Sequence, residues 1–128
     1  MNKPAAPSGT RYDISTDEMM FGRNQHFDVT AVAAAQQPWW NRTLTNVNDA
    51  VVRLGVLDGD FHWHKHDGED EFFLVMEGRL DIELEDRTVS LTPGQAFTVP
   101  AGVMHLPHAR GRTVVLMVEK AGVVPTGD

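Results

Sequence analysis

From Arg42 onward, short apolar runs recur at roughly ten-residue spacing with Gly or Pro at nearly every corner. That spacing leaves little room for a helix of ordinary length and favours many short strands. Val51 to Leu57 is apolar and rich in β-branched residues, and Asp58-Gly59-Asp60 reads as a turn. Phe61 to His66 alternates strictly, Asp67-Gly68 turns again, and Glu71 to Glu77 forms the next strand. After Glu77-Gly78, the run Arg79 to Glu85 places Leu80, Ile82 and Leu84 on one face. Arg79, Asp81, Glu83 and Glu85 then form a solvated outer face. Thr88 to Leu91, Ala96 to Val99, Val103 to Ala109 and Thr113 to Val118 follow. They are separated by Asp86-Arg87, Pro93-Gly94, Pro100-Ala101-Gly102 and Arg110-Gly111. The pattern predicts an all-β fold, an antiparallel sandwich or small barrel.

The preceding third of the chain differs. Residues 1–10, rich in Pro, Ala and Ser, read as a flexible arm. Residues 11–41 read as an extension packing on the barrel, and 42–128 as the barrel. Within the extension, Asp28 caps a short helix from Val29 to Gln37, with Pro38 ending it. Trp39 and Trp40 offer apolar surface for packing, for a pocket mouth or for a dimer contact.

Length and charge narrow the function. A chain of 128 residues is a prior for one domain. Its net charge of -7 argues against nucleic acid and anionic membranes as partners. The absence of Cys excludes disulfides, thiolate nucleophiles and Cys-ligated zinc. No apolar run approaches the ~20 residues of a membrane span. The opening MNKPAAPSGT has no apolar core of the secretory type, so a cytoplasmic protein is expected.

The chemistry lies in the histidines. Of six, five fall in two windows: His62, His64 and His66, then His105 and His108. On a strand, residues 62, 64 and 66 share a face. Three imidazoles on an inward face make a poor core, because each buried ring nitrogen needs a partner. A single His would be read as a solvated or satisfied group; the trio points to a bound cation. Glu69, Asp70 and Glu71 follow, and periodicity does not choose among them, since both faces of the strand from Glu71 are apolar.

Two segments resemble the paired motifs of the cupin superfamily. His64-Lys65-His66, four residues, Glu71, six residues and Gly78 match the first. Gly94, five residues, Pro100-Ala101-Gly102, two residues and His105 match the second. The chain departs at Gly59, one residue nearer to His64 than the usual Gly, and at Ala109, where the motif ends in Asn. The run from Phe61 to Gly78 looks especially like small single-domain bacterial cupins.

The resemblance implies a double-stranded β-helix, a jelly-roll barrel, holding one divalent transition metal per chain. Its ligands would be His64, His66, Glu71 and His105, and the metal could be Mn, Fe, Ni, Co, Zn or Cu. Open coordination positions would suit catalysis on a small-molecule ligand. His62 is the candidate catalytic group, and His62, Phe73, Val75 and Phe97 are the candidate pocket lining. Asp70 and Glu69 are expected beside the metal ligands, and His108 at the surface or a dimer rim. The resemblance and the outer apolar row Phe72, Leu74 and Met76 imply a homodimer. A metal-dependent enzyme of isomerase or dioxygenase type is the leading expectation. A non-catalytic metal or small-molecule binding module and a sensor domain are the alternatives.

Overall fold

The structure, a computed structural model, describes residues 12–127. The arm expected over residues 1–10 lies outside the described residues. In chain order the elements are β1 (Asp13–Met19), α1 (Val29–Ala34), β2 (Trp40–Val47), β3 (Ala50–Asp60), β4 (Glu71–Glu77), β5 (Leu80–Leu84), β6 (Thr88–Leu91), β7 (Ala96–Val99) and β8 (His105–Lys120). The strands lie in the order β1-β2-β3-β8-β4-β7, with β5 joined to β8 and to β6. All pairings are antiparallel except β1 with β2. The sheet curls into a jelly roll without closing on itself.

The long strand β8 organises the fold. Its first part, His105 to Ala109, pairs with β5, and its later part pairs with β4, while β3 runs along both. The turn expected at Arg110-Gly111 is therefore a bulge inside one strand. Gly111 takes φ +79, and the pairing with β3 skips from Thr113 to Ala109. The turn expected at Asp58-Gly59-Asp60 is likewise absorbed into β3, with Gly59 at φ +89. In both places the Gly lies at an irregularity of the β3–β8 pairing, where Arg110 to Arg112 stand opposite Asp58 alone, and not at a reversal of the chain.

The stretch Phe61 to His66 is not a regular strand; only His64 bridges to His105. The expected alternation of sides nevertheless survives. His62, His64 and His66 are buried, whereas Trp63 is exposed and Lys65 half-buried. Backbone bonds from Phe61 to Pro107 and between His64 and His105 hold this extended segment against β8.

The sheet separates two apolar clusters. Leu57, Phe73, Val75, Leu80, Ile82, Val115 and Met117 fill the inside. Leu44, Leu54, Val56 and Val114 face the other way, where Ala33, Trp40, Phe21 and Phe27 cover them. Helix α1 is capped by the Asp28 carboxylate, which accepts from the Ala31 amide at 3.2 Å, and it ends at Ala34, short of Gln37. Strand β1 was not foreseen: it is a polar edge strand whose residues are half-buried or exposed.

Asp81 corrects the expectation of a solvated acidic face. It is 3% exposed, and its carboxylate meets Arg79 Nε at 3.0 Å and Arg110 Nε at 2.7 Å. Burial pushes its pKa up, but Ser90, Arg110 and Arg79 together hold it below the usual value. Glu85 does lie in solvent, and Glu83 is half-buried.

Candidate metal centre

The four residues that the motifs single out converge. His64, His66, Glu71 and His105 each offer a ligand atom, and these atoms all lie within 4.8 Å of one another. All four side chains are buried. Glu71 opens β4 and His105 opens β8. The paired backbone bonds between His64 and His105, 3.0 and 2.9 Å, bring the two motif windows together. The Pro100-Ala101-Gly102 corner ties them again. Gly102 N donates to His66 O at 2.8 Å, and Ala101 N donates to the Asp70 carboxylate at 2.9 Å. Asp70 therefore anchors the corner, while Phe73 and Val75 share the inner face with Glu71.

The orientation of the rings suits a cation. His64 Nδ1 donates to His62 O at 2.9 Å, and His105 Nδ1 donates to Val103 O at 3.0 Å. With Nδ1 carrying the hydrogen, a neutral ring turns the lone pair of Nε2 into the cluster. Nε2 of both His66 and His105 lies 3.3 Å from Glu71 Oε1. Neither Glu71 Oε1 nor His105 Nε2 makes a well-directed hydrogen bond. A carboxylate oxygen facing imidazole lone pairs in a buried site needs a positive charge between them. A divalent transition metal fits that donor set.

Burial, followed by the neighbouring His105, lowers the His64 pKa to about 3. Burial raises the Glu71 pKa; with His105 or His66 protonated, the facing ring more than offsets this and holds the carboxyl at about 2. The unfolded His64 takes up a proton near the ordinary value of 6.5, whereas the folded one resists until about 3. Acidification through that window therefore favours the unfolded chain. Metal-free protein should lose on the order of 3 kcal/mol from this group between about pH 7 and 4. Comparing urea midpoints of wild type and His64→Gln across this range isolates the effect; equal pH slopes would refute it.

The remaining sequence candidates fall as follows. His62 is 8% exposed, stacks on Phe61 at 4.1 Å and donates from Nε2 to Thr126 O at 2.9 Å. It lies outside the four-residue group. Phe73 lines the cavity that reaches His64 and Glu71, whereas Val75 and Phe97 belong to the apolar core. His108 is half-buried and paired with Asp60.

Two buried residues escaped the sequence reading. Arg53 and Glu119 are ion-paired at 2.6 Å with almost no exposure. Glu119 stands opposite Glu71 across the β4–β8 pairing. Burial, and then the Glu71 charge, push its pKa up to about 8 against the pull of Arg53. The signal was available: Arg53 interrupts the apolar run Val51 to Leu57, and Glu119 closes the apolar run Val114 to Val118.

A narrow cavity opens beside His64 and Glu71. Trp39, Leu57, Phe61, Phe73 and Met117 make much of its wall, with Asn41 as a polar group. Ile14 and Pro125 complete the rim from the two ends of the chain. After β8 the chain folds back against the histidines. Gly127 approaches His64 so closely that a Cβ there would lie 2.6 Å from the His64 Cβ.

A jelly roll with three imidazoles and one carboxylate converging inside it defines the class, and the chain belongs to the cupin family. Residues 50–119 match the family model described as Cupin domain. A Bacillus subtilis (strain 168) relative, the uncharacterized protein YdbB, is 40% identical over 80 residues, which cover 62% of this chain and 71% of the relative. A cupin-2 domain containing protein from Shewanella frigidimarina NCIMB 400 has a similar structure, with TM-score 0.67 and 33% identity. That match covers 71% of this chain and 89% of the other. Protein NMB1881 from Neisseria meningitidis shares the fold with TM-score 0.68 and 22% identity, covering 76% of this chain and all of its own. No helix among the described residues is long and apolar enough to cross a membrane.

Proposed function

We propose that the chain is a metal-dependent enzyme acting on a small oxygenated molecule, with chemistry of isomerase or dioxygenase type. The observation that carries this reading is a buried, pre-oriented set of four donors beside an open cavity. His64, His66, Glu71 and His105 would hold the ion, and their number leaves coordination positions for a guest. A bound divalent transition metal would supply Lewis acidity toward a carbonyl or enediolate, or a place for dioxygen. The chain supplies the rest. The His62 and Val103 carbonyls fix the imidazole rings, and the aromatic wall excludes water. His62 is the proposed acid–base group: its Nε2–H is spent on Thr126 O, and its Nδ1 has no hydrogen-bond partner.

Elemental analysis of purified wild type and of the His64→Ala/His105→Ala variant tests the centre. Wild type should hold stoichiometric metal; the variant should lose it while keeping a wild-type far-UV spectrum. Stoichiometric metal in the variant would sink the assignment. A turnover screen by oxygen uptake and carbonyl isomerisation then tests catalysis. Full metal occupancy without any turnover would leave a binding module.

A further inference from the structure

We propose that the cavity beside His64 and Glu71 selects a single-ring aromatic molecule whose oxygen substituents sit at one end, of the phenol or catechol class. Sugars and multiply charged acids are the guests it rejects. This rests on the metal-binding reading of the four donors and extends it from the ion to the guest.

The wall is aromatic and fixed. Trp39 and Phe61 stack at 5.4 Å with their planes 27° apart, and Tyr12 packs on both at 5.0 Å. Trp39 Nε1 donates to Asp58 O at 2.6 Å, so the indole has spent its only donor and presents carbon to the cavity. Phe73 stands across the cavity floor, edge-on to the His105 ring at 6.2 Å. Leu57 and Met117 add aliphatic and thioether surface. Flat carbon faces of this kind suit a planar ring.

The polar groups are as informative. None of the residues described as lining the cavity is Lys or Arg. One anionic oxygen could meet the ion, but a second carboxylate or a phosphate would find no cation. A sugar would bring several hydroxyls into a wall that cannot satisfy them. Among the lining residues, apart from the metal donors and the two indoles, Asn41 is the one polar side chain. A guest with its oxygens at one end, toward the ion, and a flat carbon body meets both demands.

The test uses the full chain, metal-free and cobalt(II)-loaded, with phenol, 4-nitrocatechol, D-glucuronate and D-glucose 6-phosphate as probes. Cobalt(II) affinity is measured separately by titration. Binding is read from tryptophan fluorescence and, for 4-nitrocatechol, from its absorbance. Loaded protein should bind 4-nitrocatechol at least about tenfold more tightly than either sugar. Phenol should quench the metal-free protein as well, because the aromatic wall is independent of the ion. Trp39→Ala should weaken both aromatics about tenfold with unchanged cobalt(II) affinity. Phe61→Leu serves the same purpose should Trp39→Ala fail to fold. Equal or tighter sugar binding, or aromatic binding indifferent to both substitutions, overturns the proposal. Failure to bind cobalt(II) while phenol still binds would sink the metal reading alone.

Discussion

Arg53→Met should destabilise the protein by about 3–5 kcal/mol at alkaline pH, the cost of a buried charge that has lost its partner. Arg53 Nη1 contacts Glu119 Oε1 at 2.6 Å and Val123 O at 2.9 Å, and its Nε donates to Thr43 Oγ1 at 3.2 Å. Without it, Glu119 stands inside the sheet opposite Glu71 with nothing to balance it. Burial and the Glu71 charge already push Glu119 from its ordinary 4.5 up to about 8. A carboxyl whose folded pKa is raised weakens the fold as pH climbs from the unfolded value through the folded one. The loss in Arg53→Met should therefore be small below about pH 8, where Glu119 is protonated in both proteins, and grow as pH rises above it. Urea unfolding at several pH values measures it. Arg53→Met/Glu119→Leu, which removes both charges, should recover much of the stability. A single variant as stable as wild type well above pH 8 would show that the ion pair is dispensable.

Gly78→Ala should cost about 3 kcal/mol or more, from two separable causes. Gly78 has φ +83, where a side chain is strained. A Cβ there would also lie 2.5 Å from Arg112 O and 2.7 Å from Thr113 Oγ1. Gly94 provides the control: its φ is +85, but a Cβ would meet nothing within 4 Å. Gly94→Ala should cost only about 1–2 kcal/mol, the conformational part. Thermal unfolding of both variants separates the contributions, and equal losses would mean that the close approach of β8 to Gly78 carries no energy.

The sequence was most legible where local chemistry and tertiary structure agree. Glu71 to Glu77, Thr88 to Leu91 and Ala96 to Val99 coincide with β4, β6 and β7, each an apolar run ended by turn residues. Asp28 capped the helix as expected, because a cap is a contact across three residues. Gly59 and Gly111 misled, since left-handed backbone serves a bulge as readily as a turn and only the neighbouring strand decides which. Strand β1 has no apolar pattern; its pairing with β2 and the Arg42–Asp13 ion pair hold it, neither of which is local. Asp81 was misread for a related reason, as Arg110 reaches it from a distant strand. The resemblance selected Glu71 among three neighbouring acids, and the structure shows why it differs from the others. It occupies the inward row of β4, while Asp70 is drawn to the Ala101 amide.

The four donors lie between residues 64 and 105, inside the span shared with the family, whereas much of the rim comes from outside it. Ile14, Trp39, Asn41 and Pro125 all belong to the flanks of that span. The donors for an ion thus sit inside the shared span, while the cavity wall is divided between that span and its flanks. Evolution can keep the ion-gripping box intact and rewrite the flanks to change what is admitted. An engineer could do the same by grafting the flanks of one such protein onto the box of another.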